Sequence, residues 1–409
     1  MRDRRRLPAL ALLAGFASNL LGAEPPPIIP LAPGLTVVTA ISGSNGDYES
    51  IKLIESVDAK SVRLRYSAET PHEAGIDTEP DAYRQFRPIP GDELQVLCIT
   101  TVHRNVLRSD LVSADHFARV FDPPPAVAET VPGTTAIGIS AHVLKALKTR
   151  GSVDFTTYMA AFDAVPLTSA DATDGQIMDP RQHGTLQRVE AQAVPIPVIV
   201  NGRKALLPAI HAKGVLGVDD AEFFFLDNPD NALALRYVVG NDHLTVIKIN
   251  TPGGGDTAAG GGGSAGGGAG GAAGSSASGA GSGAGSAAEL EQSLADKRHV
   301  DIYGIYFSFN SDIIRPESEP VLRQIGALLT KHPDWKLQVD GHTDNIGGGP
   351  FNLDLSKRRA AAVKKALVER FHVAPARLET DGFGLSRPNA PNDTLEGRAL
   401  NRRVELFRP

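Results

Sequence analysis

The sequence has a single cysteine, Cys98, so no disulfide can form within the chain. That residue sits in "ELQVLCITTVH", a run that predicts a buried strand and a structural thiol, not a reactive one. Aromatic residues make up 6% of the chain, and no Lys/Arg cluster is interleaved with them. This excludes the stacked, basic surface that a nucleic acid requires, so nucleic acid is not an expected partner. The net charge of −6 is modest, with a basic segment after Lys297 and a more acidic remainder. Seven histidines precede Pro252, but none stands in HExxH, and no GxSxG elbow occurs. No catalytic residue, cofactor or metal site is therefore assigned.

Long apolar runs are also scarce. The one near the N-terminus, in "MRDRRRLPALALLAGFASNLLGAEPPP", follows an arginine cluster and ends in small residues. That layout predicts a signal peptide over residues 1–23, cleaved near Ala23. An uncleaved anchor is the alternative, although the run is short for spanning and contains Ser18 and Asn19. The cut site carries no cysteine, so it offers no lipidation point of the bacterial lipoprotein type.

Residues 253–288 are almost wholly Gly, Ala and Ser. Such a stretch cannot bury a core and predicts a flexible linker, with a mean span of roughly 30–35 Å by random-coil scaling. On this reading, neither flank shares a core with the other. Residues 24–252 read as a soluble, mostly antiparallel β-rich region, either one domain or two meeting near residues 125–150. Asn201-Gly202 between two apolar runs signals a hairpin. "EFFFLDNPDNALALRYVVGNDHLTVIKIN" predicts three strands with two turns. "SAHVLKALKTRG" predicts one helix with Ser140 as N-cap and Gly151 as stop. A membrane-embedded barrel is disfavoured by sparse aromatics and uneven strand lengths.

Residues 289–409 alternate β and α patterns: strand 300–309, helix 317–331, strand 336–341, helix 353–371, strand 377–384 and strand 401–407. This predicts a compact α/β sandwich with a short lead-in helix. Within it, the strand "KLQVDGH" delivers Thr343 and Asp344 at its C-terminal end, and Gly347–Gly349 turn the chain into a helix. Asn352, Ser356 and Arg359 are spaced by four and three, so they share one helical face. Asp344 and Arg359 could then share a cleft and grip a ligand of both charges. A plain salt bridge pinning loop to helix is equally compatible with the spacing. His342 reads as a loop-stabilising residue, since no second ligand cluster accompanies it.

The segments "IYFSFNSDIIRPESEPVLRQIGALL", "VDGHTDNIGG", "NLDLSKRRAAAVKKAL" and "RLETDGFGLSRPNAPNDTLEGRALNRRVEL" resemble, in order, the OmpA-like C-terminal domain of Gram-negative envelope proteins. The resemblance covers about residues 299–408. It implies a βαβαββ fold and noncovalent binding of peptidoglycan through diaminopimelate. The family's key aspartate falls on Asp344 and its key arginine on Arg359. Supporting positions fall on Thr343, Asn352, Leu355 and Arg402. Free diaminopimelate ends are zwitterionic, so Asp344 would take the ammonium and Arg359 the carboxylate.

The expectation is a periplasmic, non-enzymatic protein associated with the cell wall and outer membrane, tethering its β-rich module to peptidoglycan. Residues 24–252 could also dock an outer-membrane or envelope protein. The alternatives are a wall-anchored periplasmic enzyme and a docking subunit of an envelope secretion or motor complex.

Overall fold

The computed structural model describes residues 25–43, 46–73, 84–89, 92–120, 129–159, 181–252 and 287–409. The signal-peptide reading of residues 1–23 and residues 253–286 of the linker lie outside the described residues.

The first half forms one sheet of sixteen strands, mostly antiparallel. Its first strand, Thr36–Gly43, pairs with its last, Asp242–Asn250, so the two ends of this half are tied together. The described strands before and after residues 125–150 belong to this same sheet, though it packs on two separate apolar clusters. One gathers Val37, Leu64, Leu207 and Leu235. The other lies under the helix Ala141–Arg150 and includes Phe155, Phe223 and Phe225. Ser140 caps that helix, its oxygen accepting the Val143 N–H at 3.2 Å, and Gly151 ends it at φ 76°. Asn201 and Gly202 turn the hairpin between Val194–Val200 and Arg203–Leu216 with φ of 48° and 78°, as a type I′ turn requires. Cys98 is buried on the strand Asp92–Leu107. No helix among the described residues is long and apolar enough to cross a membrane.

The second half opens with the helix Ala287–Asp296, so residues 287 and 288 are helical where the linker reading ran on to 288. It then places strands His299–Ile302, Leu337–His342, Leu378–Gly384 and Val404–Phe407 in one mixed sheet under the helices Glu319–Lys331 and Gly349–Phe371. Several elements differ from the sequence reading. The helix Gly349–Phe371 starts four residues before the expected 353, and the last strand starts three residues after the expected 401. The first strand stops at Ile302 because its partner is only four residues long, pairing His299 with Phe407 through Ile302 with Val404. A helix, Leu395–Asn401, stands between the last two strands, capped by Thr394, whose hydroxyl accepts the Gly397 N–H at 3.0 Å.

The halves are packed together. On Thr36–Gly43 side chains alternate: Leu35 and Val37 join the first-half core, while Val38 and Ala40 face the other way. That second face, with Ile51, Ile199 and Ile247, is covered by Tyr303, Tyr306, Ala390, Ala399 and Leu400. The sequence reading had expected no shared core. Strand alternation shows that a face is apolar, but not which part of the chain covers it.

Candidate functional site

The site begins where a strand and a helix approach at backbone distance. A Cβ on Gly341 would lie 2.1 Å from the Ser356 carbonyl oxygen, and one on Gly382 would lie 2.3 Å from the Lys357 nitrogen. Only glycine allows this contact, which sets the helix Gly349–Phe371 directly against the strand end that carries Thr343 and Asp344. The Thr343 N–H donates to the Gly384 carbonyl at 3.0 Å and its hydroxyl donates to the Asp344 carbonyl at 3.0 Å. Asn352 is buried and donates its amide to the Ile346 carbonyl at 3.0 Å, holding the intervening loop. Ser356 is fully buried; its oxygen accepts the Gly384 N–H at 2.9 Å. Leu355 is buried beside it.

Asp344 is 7% exposed. One carboxylate oxygen accepts the Ile346 N–H at 3.0 Å and the other accepts Arg402 Nη1 at 2.5 Å. The contact partner of Asp344 is therefore Arg402; the plain salt bridge to Arg359, one of the two readings the spacing left open, is not formed. Fifteen residues of loop and helix bring Arg359 near, but the last helix delivers Arg402 to the strand end itself. Arg359 instead donates Nε to the Ser311 carbonyl at 3.0 Å and lies over the Phe307 ring, 4.9 Å from its centroid. Burial, with the nearby Arg402 as the second cause and Asp344 opposing both, lowers its pKa to about 10. Arg358, one step along the helix, is half-exposed and pairs with Asp354 at 2.8 Å and Asp312 at 2.9 Å.

The first half of the chain completes the site. The second terminal nitrogen of Arg402 pairs with Glu49. Glu49 lies opposite Ala40 across paired strands, so it points to the face that the second half covers. A bulge between Val38 and Thr39, where the partner steps from Lys248 to Val246, turns Lys248 toward the same side as Ile247. Glu49, Ile51 and Lys248 line one cavity with Arg359, Arg402 and Arg315. Burial lowers the Lys248 pKa to about 8, with Arg402 adding to the effect and Glu49 and Asp344 opposing it. Burial also works against the Arg402 charge, but Glu49 and Asp344 outweigh it and raise its pKa. Glu49 and Lys248 carry no local signal in the sequence: they lie far from the motif and reach it only through the fold.

Behind the strand end, His342 is buried, 3.2 Å from Glu405 and stacked on Phe383. His299, Asp301 and Glu405 come close enough together to suggest a metal centre. The buried Arg403 guanidinium already supplies the positive charge there, with Nε 2.8 Å from Asp301 and Nη2 3.6 Å from Glu405. The group is an ion-pair network that seats the last strand.

Residues 306–402 match the OmpA family. The chain is 40% identical over 100 residues to outer membrane protein Omp38 of Acinetobacter baumannii, a match covering 24% of this chain and 28% of that protein. It is 42% identical over 101 residues to outer membrane porin F of Pseudomonas fluorescens, covering 25% and 31%. The chain thus spans less than a third of the length of these relatives. Among solved structures, the peptidoglycan-associated lipoprotein of Burkholderia pseudomallei is 30% identical, over 28% of this chain and 98% of that one, with a TM-score of 0.25.

Proposed function

We propose that this chain, which carries an OmpA family domain over residues 306–402, binds peptidoglycan noncovalently through the free, zwitterionic end of diaminopimelate. The observation that carries the reading is the convergence of one near-buried carboxylate, Asp344, with the guanidinium groups of Arg402 and Arg359 at one strand end. A carboxylate can take an ammonium and a guanidinium fork can take a carboxylate, both through charge-assisted hydrogen bonds strengthened by partial burial. Thr343, Asn352 and Leu355 position the loop and helix that hold these groups. Arg402, a supporting position in the sequence reading, joins Arg359 as a carboxylate-binding residue. The protein acts as a binding and structural component of the periplasm, associated with the cell wall and outer membrane, and its β-rich half is the module held there.

Co-sedimentation of the purified chain with sacculi containing diaminopimelate tests this. Wild type is expected in the pellet. Asp344→Ala is expected in the supernatant while retaining its near-UV circular dichroism. A folded Asp344→Ala chain that still pellets fully would remove the aspartate from the ligand site.

A further inference from the structure

The site just described is covered by the chain's own first half. Glu49 reaches over from the sixteen-stranded sheet and pairs with Arg402. Lys248 and Ile51 line the same cavity from that side. Around it the interface is built from matched polar groups. Arg315 Nη2 donates to the Ser67 hydroxyl at 2.8 Å, and that hydroxyl donates to Glu317 at 2.5 Å. The Ser308 hydroxyl and the Phe309 N–H each donate to Glu69 at 3.1 Å. Ser67, Glu69, Arg315 and Glu317 are all buried. Asn250 donates to the Tyr306 hydroxyl at 2.5 Å beside the shared apolar cluster.

We propose that this arrangement is a self-closed state, in which the Glu49 carboxylate occupies the Arg402 guanidinium that a ligand carboxylate would otherwise take. The inference rests on the peptidoglycan reading. Its physical basis is competition for one guanidinium. A carboxylate from the ligand and a carboxylate from the sheet use the same N–H donors, so binding of one displaces the other. The satisfied contacts around Ser67 and Glu69 define a specific docked geometry. The Glu49–Arg402 pair keeps some solvent access, with side chains 37% and 28% exposed, so it is an exchangeable lock. Apparent affinity for the wall is then reduced by the fraction of chains that are open.

The test uses the full chain and purified sacculi containing diaminopimelate. Glu49→Gln removes the competing charge. Glu69→Ala removes the acceptor of Ser308 and Phe309, away from the ligand groups, and so opens the interface by an independent route. Both variants are checked for folding by circular dichroism. Each is expected to bind sacculi roughly tenfold more tightly than wild type, equivalent to about 1.4 kcal/mol. Adding Asp344→Ala to either is expected to abolish the gain. If wild type and both variants bind equally well and Asp344→Ala does not bind, self-closure is overturned and the peptidoglycan reading stands. If neither wild type nor the opened variants bind, both readings fall.

Discussion

Arg402 Nη1 lies 2.5 Å from Asp344 Oδ2, joining the end of the last helix to the loop after the strand Leu337–His342. Asp344 is almost out of solvent, so loss of its partner leaves a desolvated charge. Asp344→Ala and Arg402→Ala are each expected to lower stability by about 1–3 kcal/mol, less than for a fully buried pair because Arg402 keeps some water. The double variant should lose less than the sum of the two. Urea unfolding measures all three, and strict additivity would show that the pair is not coupled.

Lys248 gives a pH signature. Its pKa is near 8 in the folded chain against 10.5 for an ordinary lysine, so between those values the unfolded chain holds the extra proton. Stability therefore rises with pH from about 8. Lys52, lowered to about 8 by burial and by Arg104, adds to the rise. Above pH 10 buried Tyr303 and Tyr306 reverse it, because the folded chain keeps their hydroxyls protonated beyond the ordinary value of 10.0. Lys248→Met should stabilise the chain at neutral pH by about 1–3 kcal/mol and reduce the rise above pH 8. A profile unchanged in both respects would contradict the assigned burial cost.

The shared core predicts how cleaved chain behaves. Proteolysis within residues 253–286 should give two fragments that still elute together on size exclusion, held by Tyr303, Tyr306 and Leu400 against Val38 and Ile247. Tyr306→Ala removes a buried ring and its bond from Asn250, and should let the fragments separate. Separate elution of the wild-type fragments would show that the interface does not hold without the covalent link.

Much of the second half was legible because its signals are local. The alternating pattern gave the order of its strands and two main helices, and the spacing of Asn352, Ser356 and Arg359 gave one helical face. The Asn201-Gly202 turn and the Ser140 cap were readable for the same reason. The partner of Asp344 was not. Proximity along the chain favoured Arg359, whereas a helix near the C-terminus supplies Arg402. Glu49 and Lys248 were beyond reach altogether, because strand pairing and a bulge between Val38 and Thr39 bring them to the site. The short helix Leu395–Asn401 was hidden by its length, too short for a repeating apolar face.

The most direct measurement is calorimetric titration of the Glu49→Gln chain with two soluble stem tripeptides, one ending in diaminopimelate and one ending in lysine. The two differ by the carboxylate that Arg359 and Arg402 are assigned to hold. The account expects the diaminopimelate peptide to bind at least tenfold more tightly, a difference of about 1.4 kcal/mol or more, with the preference lost in Arg359→Ala and Arg402→Ala. Equal affinity for the two peptides would contradict it.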